Sequence, residues 1–384
     1  MPKNSHPWGT PPWTVGFRPR LRPLPARADF IVVGGGFAGL SAAAWLKRLA
    51  PKKSVLLLER ETIGSGASGR TGGVALAESA AGDLKGLGDV LRGYRRILRR
   101  FKIDSELSLP GAWELGRHGG LPGSPIRWND SGELQAVGKV PGGTVHPGKV
   151  VAGLARAAQS AGVHIVEQAR VTMLKPVHTD REFAQDALEL HVRLTRGRKL
   201  SAKTVSAGRV LLTTNAYSLD LMQLPPTAQP KLTLAVATAP LTSAQLTALG
   251  LASRKPFYTV DLPYLWGRLL KNNSAIFGAG LVHAPSEQNL GRIDVRKGDA
   301  AERIAWLEGR VRGLHPVLKD VHLTHRWGGP ILFTEGAKPV FRVHPRLPQV
   351  TILAGFNGHG VALSVYLGEW AALFLLDRRA LPNW

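Results

Sequence analysis

The stretch FIVVGGGFAGLSAAAWLKRLA, residues 30–50, decides the fold. Residues 31–33 form a short apolar run, as is typical of a buried parallel strand. Gly34, Gly36 and Gly39 then complete the pattern GxGxxG. The first glycine permits a tight turn, the second lets a pyrophosphate approach the backbone, and the third lets the following helix pack on the strand. The stretch therefore predicts a strand, a phosphate-binding turn and a helix.

A second strand is predicted over residues 54–58, and it ends at Glu59, which lies 20 residues after Gly39. A carboxylate at this place accepts hydrogen bonds from both ribose hydroxyls of an adenosine that lacks a 2′-phosphate. The alternative is a glycine-rich turn with a surface acid. Because strand, turn, helix, strand and acid occur in register, we predict a dinucleotide site. Its contacts at these two turns are Gly34, Gly36, Phe37, Ala38, Gly39, Glu59 and Arg60.

A second run of small residues, ETIGSGASGRTGGVAL, occupies residues 61–76. Small residues let the backbone run close to a flat or phosphorylated ligand. Arg70 is predicted to pair with a pyrophosphate. A nicotinamide-binding domain does not need this second loop, and the alternative is a flexible surface loop. The predicted contacts here are Gly66, Ala67, Ser68, Arg70, Gly72, Gly73 and Val74.

At this point the chain resembles the FAD-dependent glycine oxidase, sarcosine oxidase and D-amino-acid oxidase family. Further segments resemble that family in the same order, over nearly the whole chain. They are TVHPGKVVAGLARAAQSAGVHIVEQARVTML (144–174), RVLLTTNAYS (209–218), VATAPLT (236–242), THRWGGPI (324–331) and ILAGFNGHGVALSVYLGEWAA (352–372). The lead-in HPWGTPPW and the GFNGHG loop are most similar to the γ-glutamylputrescine oxidoreductase-like branch.

The resemblance implies a mixed α/β fold with a Rossmann-like, discontinuous FAD-binding domain and an inserted mixed-sheet substrate domain. The FAD-binding domain is assigned to residues 28–104, 145–225 and 325–384, and the substrate domain to residues 105–144 and 226–324. Residues 1–27 are rich in proline and are predicted to form an extended arm over the surface. An amphipathic helix with a basic face is predicted over residues 84–102.

The C-terminal segment is predicted to form a strand over residues 350–354, a loop over 355–360 and a helix over 361–376. The positive end of such a helix stabilises an anionic reduced flavin ring. Further flavin contacts are implied by the resemblance, with Val171 facing the adenine. They are Val171, Thr214, Asn215, Gly355, Phe356, Asn357, Gly358, His359, Gly360 and Val361.

The chemistry implied is oxidation of a C–N bond. A neutral primary or secondary amine gives a hydride to flavin N5, and the imine is then hydrolysed. His359 is the first candidate for handling the proton, and the alternative is a structural, hydrogen-bonded histidine. His325 and Tyr264 are further candidates. No metal site is predicted.

The chain departs from the family at the arginines that bind a substrate carboxylate in glycine-oxidase-like members. Pro330 or Ile331 and Asn357 occupy the matching positions, and a simple α-amino acid is therefore disfavoured. Arg268 and Arg326 are the candidates to replace the missing arginines.

A second departure concerns the electron acceptor. The lysine with which sarcosine-oxidase-like members promote the reaction with oxygen matches Ile276 here. The sequence therefore leaves two electron acceptors open, oxygen or another molecule. Because cysteine is absent and residues 64–76 contain no histidine, FAD is expected to bind without a covalent link.

The formal net charge of +23 leaves two further hypotheses open. The basic helix and the segment RLTRGRK, residues 193–199, are compatible with a flavoprotein that acts on modified tRNA bases. The loop EGAKPVFR, residues 335–342, departs from the pattern D-x-x-P-x-x-G of the family that the chain resembles. This departure is compatible with a flavin-binding protein that has lost catalysis. The sequence shows neither a signal pattern nor an apolar run of ~18 residues, which predicts a cytoplasmic protein without a transmembrane segment.

Overall fold

A computed structural model describes residues 6–177, 187–197 and 199–384. Residues 1–5 of the predicted arm, and residues 178–186 and 198 of the predicted FAD-binding domain, lie outside the described part. No helix in the described part combines the length and the apolar character needed to span a membrane.

The described residues form eighteen strands and eight α-helices. The strands are β1 (Arg27–Val33), β2 (Val55–Leu58), β3 (Val74–Leu76), β4 (Ala112–Gly116), β5 (Arg127–Asn129), β6 (Glu133–Val140), β7 (Gly142–Thr144), β8 (His164–Val166), β9 (Ala169–Val177), β10 (Ala187–Arg196), β11 (Lys199–Leu212), β12 (Gln229–Pro240), β13 (Phe257–Thr259), β14 (Trp266–Leu269), β15 (Ser274–His283), β16 (Leu323–Phe333), β17 (Val340–Val343) and β18 (Val350–Ala354). The helices are α1 (Phe37–Leu49), α2 (Val90–Arg100), α3 (Pro147–Ala161), α4 (Leu219–Met222), α5 (Ser243–Ala248), α6 (Glu287–Arg292), α7 (Gly298–Leu314) and α8 (Gly360–Leu375).

The first sheet has the strand order β17-β18-β11-β1-β2-β8, with β9 and β10 attached to β11 as an antiparallel extension. Strands β18, β11, β1, β2 and β8 are parallel. Val33 pairs with Leu58 on one side and with Leu212 on the other. Because parallel strands end at the same edge, the segments after these three residues lie together.

Helix α1 packs between α3 and α8 against this sheet. Every residue from Phe37 to Leu46 is buried, which its small, alanine-rich surface permits. Ser41 donates a hydrogen bond to the carbonyl oxygen of Val365 at 2.7 Å, which fixes α1 against α8. The N-termini of α1 and α8 therefore belong to one rigid layer.

The second sheet has the order β16-β12-β15-β14-β13-β4-β6-β5. Its core face carries Trp128, Phe257 and Phe277, whose ring centroids lie 4.9–6.1 Å apart. The two sheets confirm the predicted mixed α/β fold. The domain boundaries stay a prediction; β16, which spans the predicted boundary at residue 325, pairs with β12 of the second sheet as far as Phe333.

Helix α2 begins at Val90 and not at residue 84 as predicted. Asp89 caps it by accepting a hydrogen bond from the backbone N–H of Arg92 at 2.8 Å. Gly86 and Gly88, which precede the cap, have φ of +78°, a conformation that does not continue a helix. The apolar side chains of α2 are buried, and its arginines, which form the predicted basic face, are exposed.

The prediction that the N-terminal arm runs over the surface is wrong for its tryptophans. Trp8 and Trp13 are buried, with 2% and 7% of their surface exposed. The Trp13 indole donates to the carbonyl oxygen of Gly69 at 2.8 Å and meets the ring of Trp327 edge-on at 5.8 Å. Proline indicates extended backbone but says nothing about what large aromatic side chains bury.

Truncating Trp13 to alanine is expected to lower the free energy of unfolding by about 3–5 kcal/mol, because it removes a buried ring and a hydrogen bond. Leu21 lies on the same arm and is 99% exposed. Its replacement by alanine is expected to change stability by less than ~0.5 kcal/mol. Urea denaturation of Trp13→Ala and Leu21→Ala checks this, and equal midpoints would contradict the buried arm.

Candidate active site

A cleft at the carboxyl edge of the first sheet brings together most of the residues predicted to bind the dinucleotide. Predicted residues that line it are Gly34, Gly36, Glu59, Arg60, Gly66, Ala67, Ser68, Val171, Thr214 and Asn215. They come from the ends of β1, β2 and β11, from the start of β9 and from the second loop of small residues.

The turn between β1 and α1 needs its glycines. Gly34 has φ of +110°, which side-chain-bearing residues rarely adopt. A Cβ on Gly39 would overlap the carbonyl oxygen of Gly34, so Gly39 allows close packing but does not line the cleft. Ser68 accepts a hydrogen bond from the backbone N–H of Phe37 at 2.9 Å, so the second loop meets the N-terminus of α1. A helix N-terminus of this kind suits an anionic phosphate.

Glu59 is held rigidly at the end of β2. Its Oε2 accepts from the backbone N–H of Gly35 at 2.7 Å, and its Oε1 accepts from that of Glu61 at 2.9 Å. Burial raises the pKa of this carboxyl, and the two hydrogen bonds oppose that rise. Each carboxylate oxygen accepts more than one hydrogen bond, so the group still has capacity for ribose hydroxyls.

Arg60 and Tyr217 form one wall of the cleft. The guanidinium carbon of Arg60 lies 3.6 Å from the centroid of the Tyr217 ring, and Arg60 also pairs with Glu61 at 2.8 Å. Tyr217 belongs to the TNAY segment, but the sequence did not single it out as a contact.

Arg70 contacts the backbone of three other segments. Its guanidinium donates to the carbonyl oxygens of Gly9 at 3.0 Å, Gly328 at 3.2 Å and Ser65 at 3.2 Å. These bonds engage Nε and Nη1, which disfavours the predicted bidentate pairing with a pyrophosphate. Arg70 therefore joins the second loop to the N-terminal arm and to the second sheet.

The cleft continues into a cavity of about 1040 Å³ between the two sheets. Gly36, Ala67, Ser68 and Asn215 line both spaces. Further predicted contacts line the cavity: Phe37, Ala38, Arg70, Gly72, Val74, Phe356, Asn357, Gly358, His359, Gly360 and Val361. Gly73 does not line it and lies against the backbone of Val145.

The loop before α8 is held by two asparagines. Asn357 accepts from the N–H of Thr334 at 2.8 Å and donates to the carbonyl oxygen of Gly355 at 2.6 Å. Asn215 accepts from the N–H of Gly355 at 3.0 Å, which ties the end of β11 to this loop. The arrangement places the N-terminus of α8, at Gly360, on the cavity wall. Its positive end suits negative charge in the cavity.

His359 lines the cavity directly before α8. Its buried Nδ1 has no hydrogen-bond partner among the described residues. Burial lowers the pKa of the imidazole below its usual value, so the ring is neutral at pH 7. A neutral ring with a free nitrogen is able to accept a proton.

The two arginines predicted to bind a substrate carboxylate are not at the cavity. Arg326 is exposed on β16 and pairs with Glu308 of α7. Arg268 is buried on β14, its Nε has no partner among the described residues, and it does not line the cavity. Sequence spacing predicted the strands but not the direction of these side chains.

Aromatic side chains that the sequence did not single out form the far wall of the cavity. Tyr258, Trp266 and Trp306 lie on β13, β14 and α7, and Tyr264, a predicted proton handler, stands beside them. The Trp266 ring occupies the space that a side chain on Gly72 would need. The aromatic residues between positions 257 and 266 were the sequence signal that could have predicted this wall. His325 does not line the cavity.

These residues fit FAD, because a phosphate-binding turn, a ribose-binding acid and a large cavity form one continuous space. The two sheets and this space define a flavin-dependent oxidoreductase. A family model described as FAD dependent oxidoreductase, DAO, matches residues 29–373, and the chain belongs to this family. The predicted family and the predicted cofactor, FAD, are thereby confirmed.

Two oxidoreductases of other bacteria are similar to the chain over most of its length. It is 25% identical over 407 residues to the probable oxidoreductase OrdL of Rhizobium meliloti (strain 1021), covering 95% of this chain and 87% of that protein. It is 27% identical over 393 residues to the gamma-glutamylputrescine oxidoreductase of Escherichia coli (strain K12), covering 90% of this chain and 83% of that protein.

Solved structures share the fold. Glycine oxidase from Geobacillus kaustophilus superposes with a TM-score of 0.66 at 18% identity, covering 94% of this chain and 97% of that chain. L-proline dehydrogenase from P. horikoshii superposes with a TM-score of 0.69 at 17% identity, covering 93% of this chain and 95% of that chain.

Replacing Glu59 by glutamine is expected to weaken FAD binding by about 10-fold to 100-fold, because hydrogen bonds to a charged group contribute ~1.5–3 kcal/mol. Glu167 is a matched control. It follows the neighbouring strand β8, accepts from the N–H of Ile63 at 2.7 Å and does not line the cleft. Quenching of FAD fluorescence by the apoprotein measures both dissociation constants, and equal losses in Glu59→Gln and Glu167→Gln would contradict the ribose assignment.

Proposed function

We propose that the protein oxidises the C–N bond of a primary or secondary amine that does not depend on an α-carboxylate for binding. The observation that carries this proposal is the large aromatic cavity at the flavin end of the site, in which the lining arginines among the described residues, Arg70 and Arg303, already contact other groups of the protein. The name of the Escherichia coli relative, gamma-glutamylputrescine oxidoreductase, supports an amine substrate.

The charged groups of the cavity support an amine without a carboxylate. Arg70 and Arg303 are the arginines among the described residues that line it. Nε and Nη1 of Arg70 donate to backbone carbonyls, and Nε of Arg303 donates to Asp299 at 2.8 Å. A substrate carboxylate would therefore compete with Asp299 for the charge of Arg303 and with backbone carbonyls for Arg70.

Bound FAD would supply the acceptor for a hydride from the C–H bond beside the nitrogen, and the protein supplies orientation and proton handling. Tyr258 and Trp266 form an aromatic wall that excludes water from the reacting amine. Neutral His359 accepts a proton from the substrate ammonium through Nδ1, which leaves the neutral amine as the reacting form. The positive end of α8 would stabilise negative charge on a flavin ring held beside it.

The residues around the cavity favour an electron acceptor other than oxygen. Ile276 is fully buried on β15, and no lysine is among the described residues that line the cavity. We infer slow reaction with oxygen and transfer to another acceptor. FAD binds without a covalent link, since the chain has no cysteine and no histidine over residues 64–76. A cytoplasmic location stays a prediction of the sequence.

Anaerobic absorbance spectra test the proposal. Primary or secondary amines are expected to bleach the flavin bands, and glycine is expected to do so at least about 100-fold more slowly per unit concentration, since the loss of an arginine–carboxylate pair corresponds to ~3 kcal/mol. Admitting air afterwards is expected to restore the bands slowly. Bands that persist with every amine would contradict the proposal and favour the RNA or lost-catalysis hypotheses.

The proposed role of His359 predicts a pH dependence. The reduction rate requires the neutral imidazole, so it is expected to rise with pH along an acidic limb that lies below the usual histidine pKa of about 6.5. His359→Asn is expected to lower the rate about 100-fold and to remove this limb. His322 is exposed outside the cavity, and His322→Asn serves as the control. Stopped-flow absorbance measures the reduction rate. An unchanged acidic limb in His359→Asn would contradict the proposed role of His359 as the proton acceptor.

A further inference from the structure

We propose that Leu262, Tyr264 and Trp306 form a rim at the mouth of the cavity, and that this rim binds an apolar substituent of the substrate. The substrate class is therefore an amine that carries a long alkyl or aryl group without a second charge. This inference rests on the proposed amine oxidation. It adds what the part of the substrate remote from the reacting nitrogen consists of, and which residues select it.

Large apolar side chains that are exposed to solvent come together at this place. Leu262 is 83% exposed, Trp306 is 48% exposed and Tyr264 is 41% exposed, and all three also line the cavity. A side chain that faces both the solvent and the cavity lies where the cavity opens. Single exposed apolar residues need no explanation, but a group of them at one opening marks a place where a ligand binds.

Arg310 joins the two sides of the rim. Leu262 and Tyr264 belong to the loop between β13 and β14, and Trp306 belongs to α7. The Arg310 guanidinium donates to the carbonyl oxygens of Pro263 at 2.7 Å and Tyr264 at 2.8 Å. Its central carbon lies 5.3 Å from the ring centre of Trp306. The loop and the helix are therefore held at a fixed distance from each other.

A buried ionic network keeps Arg310 in this position. Asp130 is 6% exposed, and its carboxylate pairs with Arg310 at 2.6 Å and with Arg117 at 2.6 Å. The backbone N–H of Arg117 donates to Asp261 of the same loop at 2.8 Å. Breaking a buried pair leaves an uncompensated charge, so the loop is a fixed wall. Apolar side chains on a fixed wall need little ordering when a ligand covers them, which favours binding.

The charges of the cavity favour a neutral substituent. No aspartate or glutamate is among the described residues that line it, so a second ammonium group would meet no carboxylate on the wall. Arg303 lines the cavity but donates to Asp299, with which an acidic substituent would compete. Further lining side chains, among them Leu281 and Phe333, are apolar. An alkyl or aryl group gains from burial against such a wall without losing an ionic partner.

n-Alkylamines of increasing length test the rim. Reduction of the flavin is followed anaerobically by stopped-flow absorbance, so that the electron acceptor does not enter the measurement. The apparent dissociation constant is expected to fall about fourfold per methylene in the longer members of the series, the fold-change that corresponds to ~0.8 kcal/mol for a buried CH₂. The limiting rate constant of reduction is expected to stay constant, because the rim does not touch the reacting nitrogen.

Variants of the rim separate it from the inner cavity. Leu262→Ala and Trp306→Ala are each expected to raise the dissociation constant of n-octylamine about 10-fold and to leave that of n-propylamine unchanged. Leu200→Ala is the control, because Leu200 is 69% exposed on β11 and does not line the cavity. Equal losses for both amines, or no loss for n-octylamine, would contradict the rim. A loss confined to reoxidation of the reduced flavin would place the electron acceptor there and would also overturn the proposal.

Arg310→Lys tests the positioning role of Arg310. Lysine keeps a positive charge beside Asp130 but lacks the planar fork that holds the loop. The variant is expected to weaken binding of n-octylamine about 10-fold while n-propylamine binds as before. Arg312→Lys is the matched control, because Arg312 lies on the same helix and donates to the carbonyl oxygen of Lys319. An equal effect of Arg310→Lys on both amines would show that Arg310 stabilises the fold without shaping the rim.

Binding of n-octanol to the FAD-loaded protein separates the rim from amine oxidation, because this alcohol has the apolar chain but no nitrogen. Calorimetry is expected to show binding that weakens about 10-fold in Trp306→Ala and is unaffected in Leu200→Ala. Such binding in a protein that no amine reduces would support the rim and overturn the amine-oxidation proposal. Absence of Trp306-dependent binding in a protein that amines do reduce would overturn the rim alone.

Discussion

The side chain of Arg70 is the interaction on which the arrangement of the two sheets depends. Its guanidinium donates to carbonyl oxygens of the N-terminal arm, the cofactor loop and β16, and it lies 5.5 Å from the ring centre of Trp8. Burial lowers the pKa of Arg70 to about 10, which still leaves it charged at pH 7. A buried charge is stable only when such partners surround it, so the arm, the loop and the second sheet are fixed together.

The contacts of Arg70 with these three segments decide where the functional groups of the site meet. The first sheet delivers Glu59 and the N-terminus of α1 to one end of the continuous space, and α8 delivers His359 to the other. The second sheet covers the space with aromatic side chains, and Trp266 packs over Gly72 of the cofactor loop. A shift of the second sheet would therefore change the depth of the cavity without disturbing the phosphate-binding turn.

The parts of the site that the sequence predicted are those encoded in short segments. The glycines of the first turn, Glu59 and the loop before α8 each follow from residues close together in the chain. Pairings between distant residues were not predictable in this way. Arg70 meets Gly328, and Tyr258 meets Glu78, across 258 and 180 positions of sequence. A single sequence gives the order of strands, but it does not give which side chains of separate sheets face each other.

The net charge is a second property from which the sequence alone does not predict the ligand. A net charge of +23 suggests that the protein repels a polyamine. Exposed charges are screened beyond roughly 8 Å at physiological ionic strength, whereas charges at a partly desolvated wall are screened much less. The carboxylates of Glu78 and Glu114 meet at the hydroxyl of Tyr258, a residue of the cavity wall that is 8% exposed, so acidic side chains lie behind this wall despite the positive net charge. Local burial, more than total charge, sets which ligand the cavity prefers.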